Sequence, residues 1–276
     1  MDDLAGAVAR DAALYDALTA LASRAAAIIV AIGPDQIRVK PDGSPVTRAD
    51  EAAEALILEG LARLLPGVPV ASEETRACRT QAPAAAMLLV DPLDGTRDFV
   101  AGRPEYAVNI ALLSGATPVV GIVAGPALGC VWRGIVGKGA EKLQLAPGAA
   151  PDEASARAPI ACRRAVRGQL AAAISRSHLD PASAALLDRL GVAERLRAGS
   201  AIKFGWIAEG KVDLYPRLST TCEWDIAAGH AVLAAAGGVV LTPDGGPLRY
   251  GTDPAHYVPG FVAWGDPALA AAPAGD

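Results

Sequence analysis

Asp91, Asp94 and Asp98 crowd into the stretch MLLVDPLDGTRDF, directly after the apolar run Met87 to Val90. Such a run reads as a buried strand, so Asp91 and Asp94 emerge at its end, where ligand sites of open α/β sheets gather. Carboxylates this close repel one another and drive one acid toward its neutral form unless a cation sits between them. Two further acid groups stand in comparable places. Ser72-Glu73-Glu74 follows the apolar VPVA, and Asp225 opens WDIAAGHAVLAAAGG. Any one of these acids alone has an ordinary explanation: an acid in the first turn of a helix complements its dipole, and Asp50 can close a capping box with Thr47. Taken together with DxxDGT at a strand end, they describe a carboxylate cage for hard cations such as Mg²⁺. Gly95 and Thr96 supply the second ingredient, because a turn opening into a helix offers backbone N–H groups to an anion. Cations beside such amides make a phosphate cradle, and a pair of cations can activate water and stabilise both oxygens of an in-line phosphoryl displacement. The implied chemistry is phosphoester hydrolysis without a covalent enzyme intermediate.

Rival motifs fail on spacing. LDGT invites comparison with phosphatases that form an aspartyl-phosphate, but Pro92 occupies the nucleophile position. The alternating acids and distal Glu of a calcium loop are missing, GKGAEK at Gly137 fits no phosphate-binding glycine motif, and neither GxSxG nor HExxH occurs. Cys78, Cys130, Cys162 and Cys222 show no CxxC spacing and read as reduced thiols of a cytosolic protein, with Cys222 a small buried filler.

These groups need elements to hold them. Helical periodicity runs from Ala7 to Ile32, stopping at Gly33-Pro34, and again from Asp50 to Leu65, stopping at Pro66-Gly67. VKPDGSPVTRAD between them reads as a turn or mobile loop that leads to Thr47 as an N-cap. After Asp91, EYAVNIALL, TPVVGIVAGPA, LGCVWRGIV and GAEKLQL form an antiparallel meander. The stretch from Pro147 to Pro159 reads as a linker or surface excursion. Beyond it, strands LAAAIS, KVDLYP and GGVVLT alternate with helices at 181–190, 201–209 and 225–236.

At 276 residues the chain suffices for one large domain or two modest ones. Much of its 52% hydrophobic content is alanine, and no run approaches the roughly 20 apolar residues of a membrane span. Leu21 to Ile32 is interrupted by Ser23 and Arg24, and Asp2, Asp3 and Asp11 spoil the basic start of a secretory signal, so the cytoplasm is the expected location. A net charge of −5 with no basic block argues against a nucleic-acid polymer as partner.

SEE at Ser72, DPLDGTRDF at Asp91 and EWDIAAGHAVLAAAGG at Glu223 resemble the three signatures of the lithium-sensitive, Mg²⁺-dependent inositol monophosphatase superfamily. KPDGSPVTRAD, SRSH at Ser175, GSAIKF at Gly199 and DLYPR at Asp213 are most similar to its CysQ-type 3′(2′),5′-bisphosphate nucleotidases. The resemblance implies one Mg²⁺ held by Glu73, Asp91 and the Leu93 carbonyl, and a second by Asp91, Asp94 and Asp225. It implies that Glu73 and Thr96 orient the attacking water, and that Asp50 assists proton removal and helps hold a third ion. It further implies that Gly95, Thr96 and Asp225 touch the substrate, His178 lies near the base, and Ser200, Lys203 and Arg217 face a second phosphate. Arg97-Asp98 stands where Lys-Glu is commoner in that subfamily.

The expected fold is a layered αβαβα sandwich of the α/β class. Residues 1–153 form a metal-binding half on an antiparallel sheet, and residues 154–276 a smaller α/β half with the specificity pocket. The expected function is removal of the 3′-phosphate of adenosine 3′,5′-bisphosphate, a step of sulfur metabolism. Inositol monophosphate and fructose 1,6-bisphosphate stand as alternative substrates, and a non-catalytic phosphate-ligand sensor is the reading from a different class. The expected assembly is a monomer or a homodimer, in the cytoplasm or peripheral to the inner membrane.

Overall fold

The computed structural model describes residues 11–41, 43–75, 85–177 and 179–270. His178, Cys78 and the first residues of the expected leading helix lie outside these. That helix, α1 (Ala12–Ile32), begins later than its periodicity because Asp11 is extended and caps it, its side chain accepting from the Leu14 amide at 3.1 Å. Gly33 ends it at φ 71°, donating to the Ile29 carbonyl. A small antiparallel hairpin follows, β1 (Arg38–Val39) and β2 (Pro45–Val46). Thr47 and Asp50 then form a capping box on α2 (Arg48–Leu64), so this helix starts ahead of the expected Asp50.

Seven strands build the larger sheet: β3 (Val70–Ser72), β4 (Ala86–Asp94), β5 (Ala107–Ser114), β6 (Thr117–Gly125), β7 (Cys130–Ile135), β8 (Gly139–Gln144) and β9 (Ala156–Ile160), in that spatial order. A short helix α3 (Thr96–Val100) leaves β4. From β4 to β9 every pairing is antiparallel, as the meander requires, but β3 joins β4 in parallel, so the sheet is mixed and not wholly antiparallel. Its central strands are largely apolar because both faces are covered. Leu88, Val90, Val108 and Ile110 pack with α1 and α2, while Met87, Leu89, Ala111 and Val123 face the opposite layer. Among the described residues α1 is the one helix long and apolar enough to cross a membrane. Here its Leu18, Leu21, Ala22, Ala25, Ala26 and Ile29 are buried in that core.

The Ala- and Pro-rich stretch expected as a linker instead supplies β9, paired with β8 from Ala156 to Ile160. Exposed ARAPI carries no apolar alternation, so only its partner strand reveals it. Strand pairing thus continues the larger sheet to Ile160, and we propose the division of the chain into halves there.

The remaining elements are β10 (Ala171–Ser175), α4 (Pro181–Arg189), β11 (Glu194–Ala198), α5 (Ile202–Ala208), β12 (Leu214–Arg217), β13 (Thr221–Cys222), α6 (Ala227–Ala235), β14 (Val239–Leu241), β15 (Tyr257–Val258), β16 (Phe261–Trp264) and α7 (Pro267–Ala270). A five-stranded sheet runs β11-β10-β12-β16-β14, with β10 parallel to β11 and β12, and β16 antiparallel to β12 and β14. Helices α5 and α6 fill the space between the two sheets, and α4 and α7 cover the outer face of the smaller one. The expected αβαβα layering results. Small residues let α6 sit tightly on the large sheet: a Cβ at Gly121 would stand 2.2 Å from the Ala228 carbonyl oxygen.

Candidate active site

The register of β4 places Asp91 opposite Asn109 and Asp94 opposite Ala107, with an irregularity between the two pairs. That irregularity turns both acids toward one pocket, and the Leu93 amide donates to Asp91 Oδ1 at 3.0 Å. Gly95 adopts φ 92°, a left-handed conformation that glycine holds without strain, and starts α3. The first amides bonded within that turn are those of Asp98 and Phe99, both to the Gly95 carbonyl, which leaves the Gly95 and Thr96 amides ahead of them at the pocket wall. Thr96 Oγ1 lies 3.1 Å from both Asp50 Oδ1 and the Leu93 carbonyl oxygen. Asp50 Oδ2 meanwhile accepts from the Thr47 amide at 2.8 Å. One carboxylate therefore caps α2 with one oxygen and reaches the pocket through Thr96 with the other.

The end of β3 brings in Glu73, its amide donating to the Val90 carbonyl at 3.2 Å. Asp225 comes from the other half on a 3₁₀ turn, Glu223–Asp225, and α6 starts only at Ala227, not at Asp225 as expected. Thr221 Oγ1 and the Cys222 amide both donate to Asp225 Oδ2, which fixes the carboxylate. Carboxylate oxygens of Glu73, Asp91 and Asp225 all lie within 4.8 Å of one another. Asp94 lines the same pocket and is held by Oδ2, which accepts from the Ala201 amide at 2.6 Å and Asn109 Nδ2 at 3.3 Å.

Burial and repulsion from neighbouring carboxylates raise Glu73, Asp91 and Asp94. Burial, then Glu73, Asp94 and Asp225, holds Asp91 well above the ordinary carboxylate range. Burial followed by Asp225 pushes Asp94 up to about 7. Glu73 is raised by burial against the pull of Lys40, whose Nζ stands 2.8 Å from Glu73 and 2.7 Å from Glu74. A small divalent cation fits this donor set: the ligand atoms are oxygens only, converge from three elements, and carry the repulsion that such a cation relieves. Asn109 Oδ1, beside Asp94, and Ser72 Oγ, next to Glu73 in the chain, are buried without a hydrogen-bond partner among the described residues.

The same pocket also carries two basic side chains, Lys203 and Arg217. Lys203 is buried, donating from Nζ to the carbonyls of Ser200 at 2.7 Å and Ala198 at 3.3 Å, and burial depresses it to about 8. Arg217 faces the same space, with Nη2 on the Thr220 carbonyl and Nε buried without a partner among the described residues. Ser200 lines it as well, at φ 50°. All the expected site residues within the described range thus meet at one pocket or, for Asp50, at Thr96 behind it.

Lys40, Asn109 and Thr221 escaped the reading of the sequence. Asn109 had a signal, a lone amide inside the apolar strand EYAVNIALL. Lys40 lies in the loop VKPDGSPVTRAD, where no local pattern distinguishes it from a solvated lysine.

Layered sheets enclosing an oxygen-only carboxylate cage beside a glycine turn define a cation-dependent phosphoester hydrolase. The chain belongs to the inositol monophosphatase family, whose model matches residues 11–270. It is 40% identical over 229 residues to the 3′(2′),5′-bisphosphate nucleotidase CysQ of Escherichia coli strain K12, covering 83% of this chain and 88% of that protein. A histidinol-phosphatase of Mycobacterium tuberculosis is 36% identical over 218 residues, covering 76% and 78% of the two chains. The crystal structure of CysQ from Bacteroides thetaiotaomicron superposes with a TM-score of 0.76 at 32% identity, covering 91% of this chain and 96% of that one.

Proposed function

We propose that this chain is a Mg²⁺-dependent 3′(2′),5′-bisphosphate nucleotidase that removes the 3′-phosphate of adenosine 3′,5′-bisphosphate, leaving AMP and inorganic phosphate. The observation that carries the reading is one pocket lined both by an acid cage and by two basic side chains, Lys203 and Arg217. A monophosphate engages only the cage. A bisphosphate also offers charge to the basic side chains, where a guanidinium suits a phosphate in geometry as well as in sign. The CysQ relatives support the same substrate class.

In this reading Glu73, Asp91 and the Leu93 carbonyl hold one Mg²⁺, Asp91, Asp94 and Asp225 a second, and Asp50 helps hold a third. Bound there, the ions supply charge to the transferring phosphoryl oxygens and acidify water. The protein's own groups do the rest. Gly95 and Thr96 amides receive the phosphoryl oxygens, Glu73 and Thr96 Oγ1 orient the attacking water, and Thr96 passes a proton to Asp50 Oδ1 while accepting one from that water. Ser200, Lys203 and Arg217 keep the 5′-phosphate out of the cage and so select the 3′-phosphate for cleavage, with His178 beside the base. The same reading carries inhibition by Li⁺, a place in the cytoplasm and a part in sulfur metabolism.

Phosphate release with Mg²⁺ from adenosine 3′,5′-bisphosphate, inositol 1-phosphate, fructose 1,6-bisphosphate and histidinol phosphate, assayed side by side, tests the proposal. The expected result is the highest kcat/KM on the nucleotide. A higher value on inositol 1-phosphate or histidinol phosphate would replace the substrate, and no release from any of them would favour the sensor.

A further inference from the structure

Lys203 is one of the pocket side chains meant for a second phosphate, yet its ammonium group is already engaged by the protein. Nζ bonds the carbonyls of Ser200 and Ala198 and lies 4.8 Å from the centre of the Tyr215 ring, so it is directed into the 198–200 turn. That turn is an unusual one. Ser200 sits at φ 50°, a left-handed conformation that a serine holds only when its surroundings impose it. Gly199 before it is wedged so closely that a Cβ would stand 2.3 Å from Asp98 Oδ2 and 2.4 Å from the Glu105 carbonyl oxygen. The next amide, that of Ala201, points out of the turn to Asp94 Oδ2 at 2.6 Å.

We propose that Lys203 is a positioning residue for Asp94: by holding the Ser200 carbonyl it keeps the turn left-handed, and the turn's Ala201 amide aims the carboxylate into the cage. The inference rests on the reading of Asp94 as a cation ligand. Asp94 is the acid of the cage whose tie crosses to α5 of the second half, so its direction depends on how that half is held. With Oδ2 fixed by Ala201 and Asn109, the remaining oxygen presents itself in one direction. Without the brace the carboxylate gains rotational freedom, and a ligand whose supporting contacts are lost binds its ion more weakly. Lys203 would then set cation affinity before any substrate arrives, which a simple phosphate contact would not do.

The test is Mn²⁺ binding to the full chain without substrate, read from the loss of the free-ion electron paramagnetic resonance signal. Four proteins are compared: wild type, Lys203→Met, Lys203→Met combined with Ser200→Gly, and Asp94→Asn. Lys203→Met is expected to weaken Mn²⁺ binding by about tenfold, the lower end for loss of a supporting contact. Glycine adopts the left-handed turn unaided, so the double variant should recover at least half of that loss on a logarithmic scale. Hydrogen exchange at the Ala201 amide should quicken in Lys203→Met and slow again in the double variant. Should Lys203→Met fail to fold by circular dichroism, Lys203→Leu, which likewise cannot donate to the Ser200 carbonyl, takes its place with the same readings. Unchanged Mn²⁺ affinity in the lysine variant while Asp94→Asn loses it would overturn the inference, as would a loss that glycine does not recover. If Asp94→Asn binds Mn²⁺ as wild type does, the ligand reading of Asp94 is what fails.

Discussion

The two sets of charged groups in the pocket solve the problem of buried charge in different ways. Among the acids, Glu73, Asp91, Asp94 and Asp225 are packed together and repel one another, and among the described residues Lys40 is the cation paired with Glu73 and Glu74. Among the basic groups Lys203 is satisfied by carbonyl oxygens and an aromatic face, while Arg217 is only partly so, Nη2 donating to the Thr220 carbonyl and Nε buried without a partner among the described residues. The first set is poised to take up cations and is strained without them. The second is built largely as structure that a ligand meets ready-made. Binding chemistry at the acids should therefore fail abruptly when a single group is removed, whereas loss of a basic group should cost substrate discrimination.

The largest expected effect follows from Asp94→Asn. The substitution keeps the side chain's shape and, on the proposed ligand role of Asp94, removes the charge that faces the cation, so kcat should fall by more than the roughly 10 to 100-fold typical of supporting contacts, with the thermal melt retained. Near-normal turnover at ordinary Mg²⁺ would remove the acid cage from the mechanism. Arg217→Ala comes next. A hydrogen bond to a charged group is worth on the order of 1.5 to 3 kcal/mol, so kcat/KM on adenosine 3′,5′-bisphosphate should fall roughly ten to a hundredfold, while 3′-AMP changes little. An equal loss on both would make the arginine a structural brace and blur the contrast between the two sets.

The smallest effect is on stability and distinguishes a strained acid cage from a relaxed one. Folding raises the Asp94 carboxyl from its ordinary 3.8 to about 7, so within that window the folded chain holds a proton that the unfolded chain releases. The metal-free protein should therefore be most stable near the bottom of the window, and its Tm should fall as pH rises through it. Saturating Mg²⁺ favours the ionised acids and should flatten or reverse the slope. A metal-free Tm that rises from pH 4 to pH 7 would show that the cage is not strained as described.

The same contrast explains what the sequence disclosed. The acids were legible because each ends an apolar run or opens a helix, and the spacing of Asp91 and Asp94 ties two of them to one turn. Thr47 and Asp50 announced α2 through their capping pattern, and here capping and site geometry share one carboxylate. The partners of these acids were not legible. Asn109, Thr221 and the Ala201 amide reach their carboxylates from other strands or from the other half, and no local pattern carries a contact between positions as distant as 94 and 201. β9 and β11 were missed for a related reason. Both are largely exposed edge strands, so alternation is absent and pairing alone defines them.

Whether the basic side chains serve a second phosphate is tested most directly by the wild-type enzyme's kcat/KM on adenosine 3′,5′-bisphosphate and on 3′-AMP at saturating Mg²⁺. The two share the scissile phosphate and differ only in the group meant for Arg217 and its neighbours. The pocket of mixed charge predicts a preference for the bisphosphate of roughly ten to a hundredfold, the worth of one charged hydrogen bond. Equal values for the two nucleotides would contradict it.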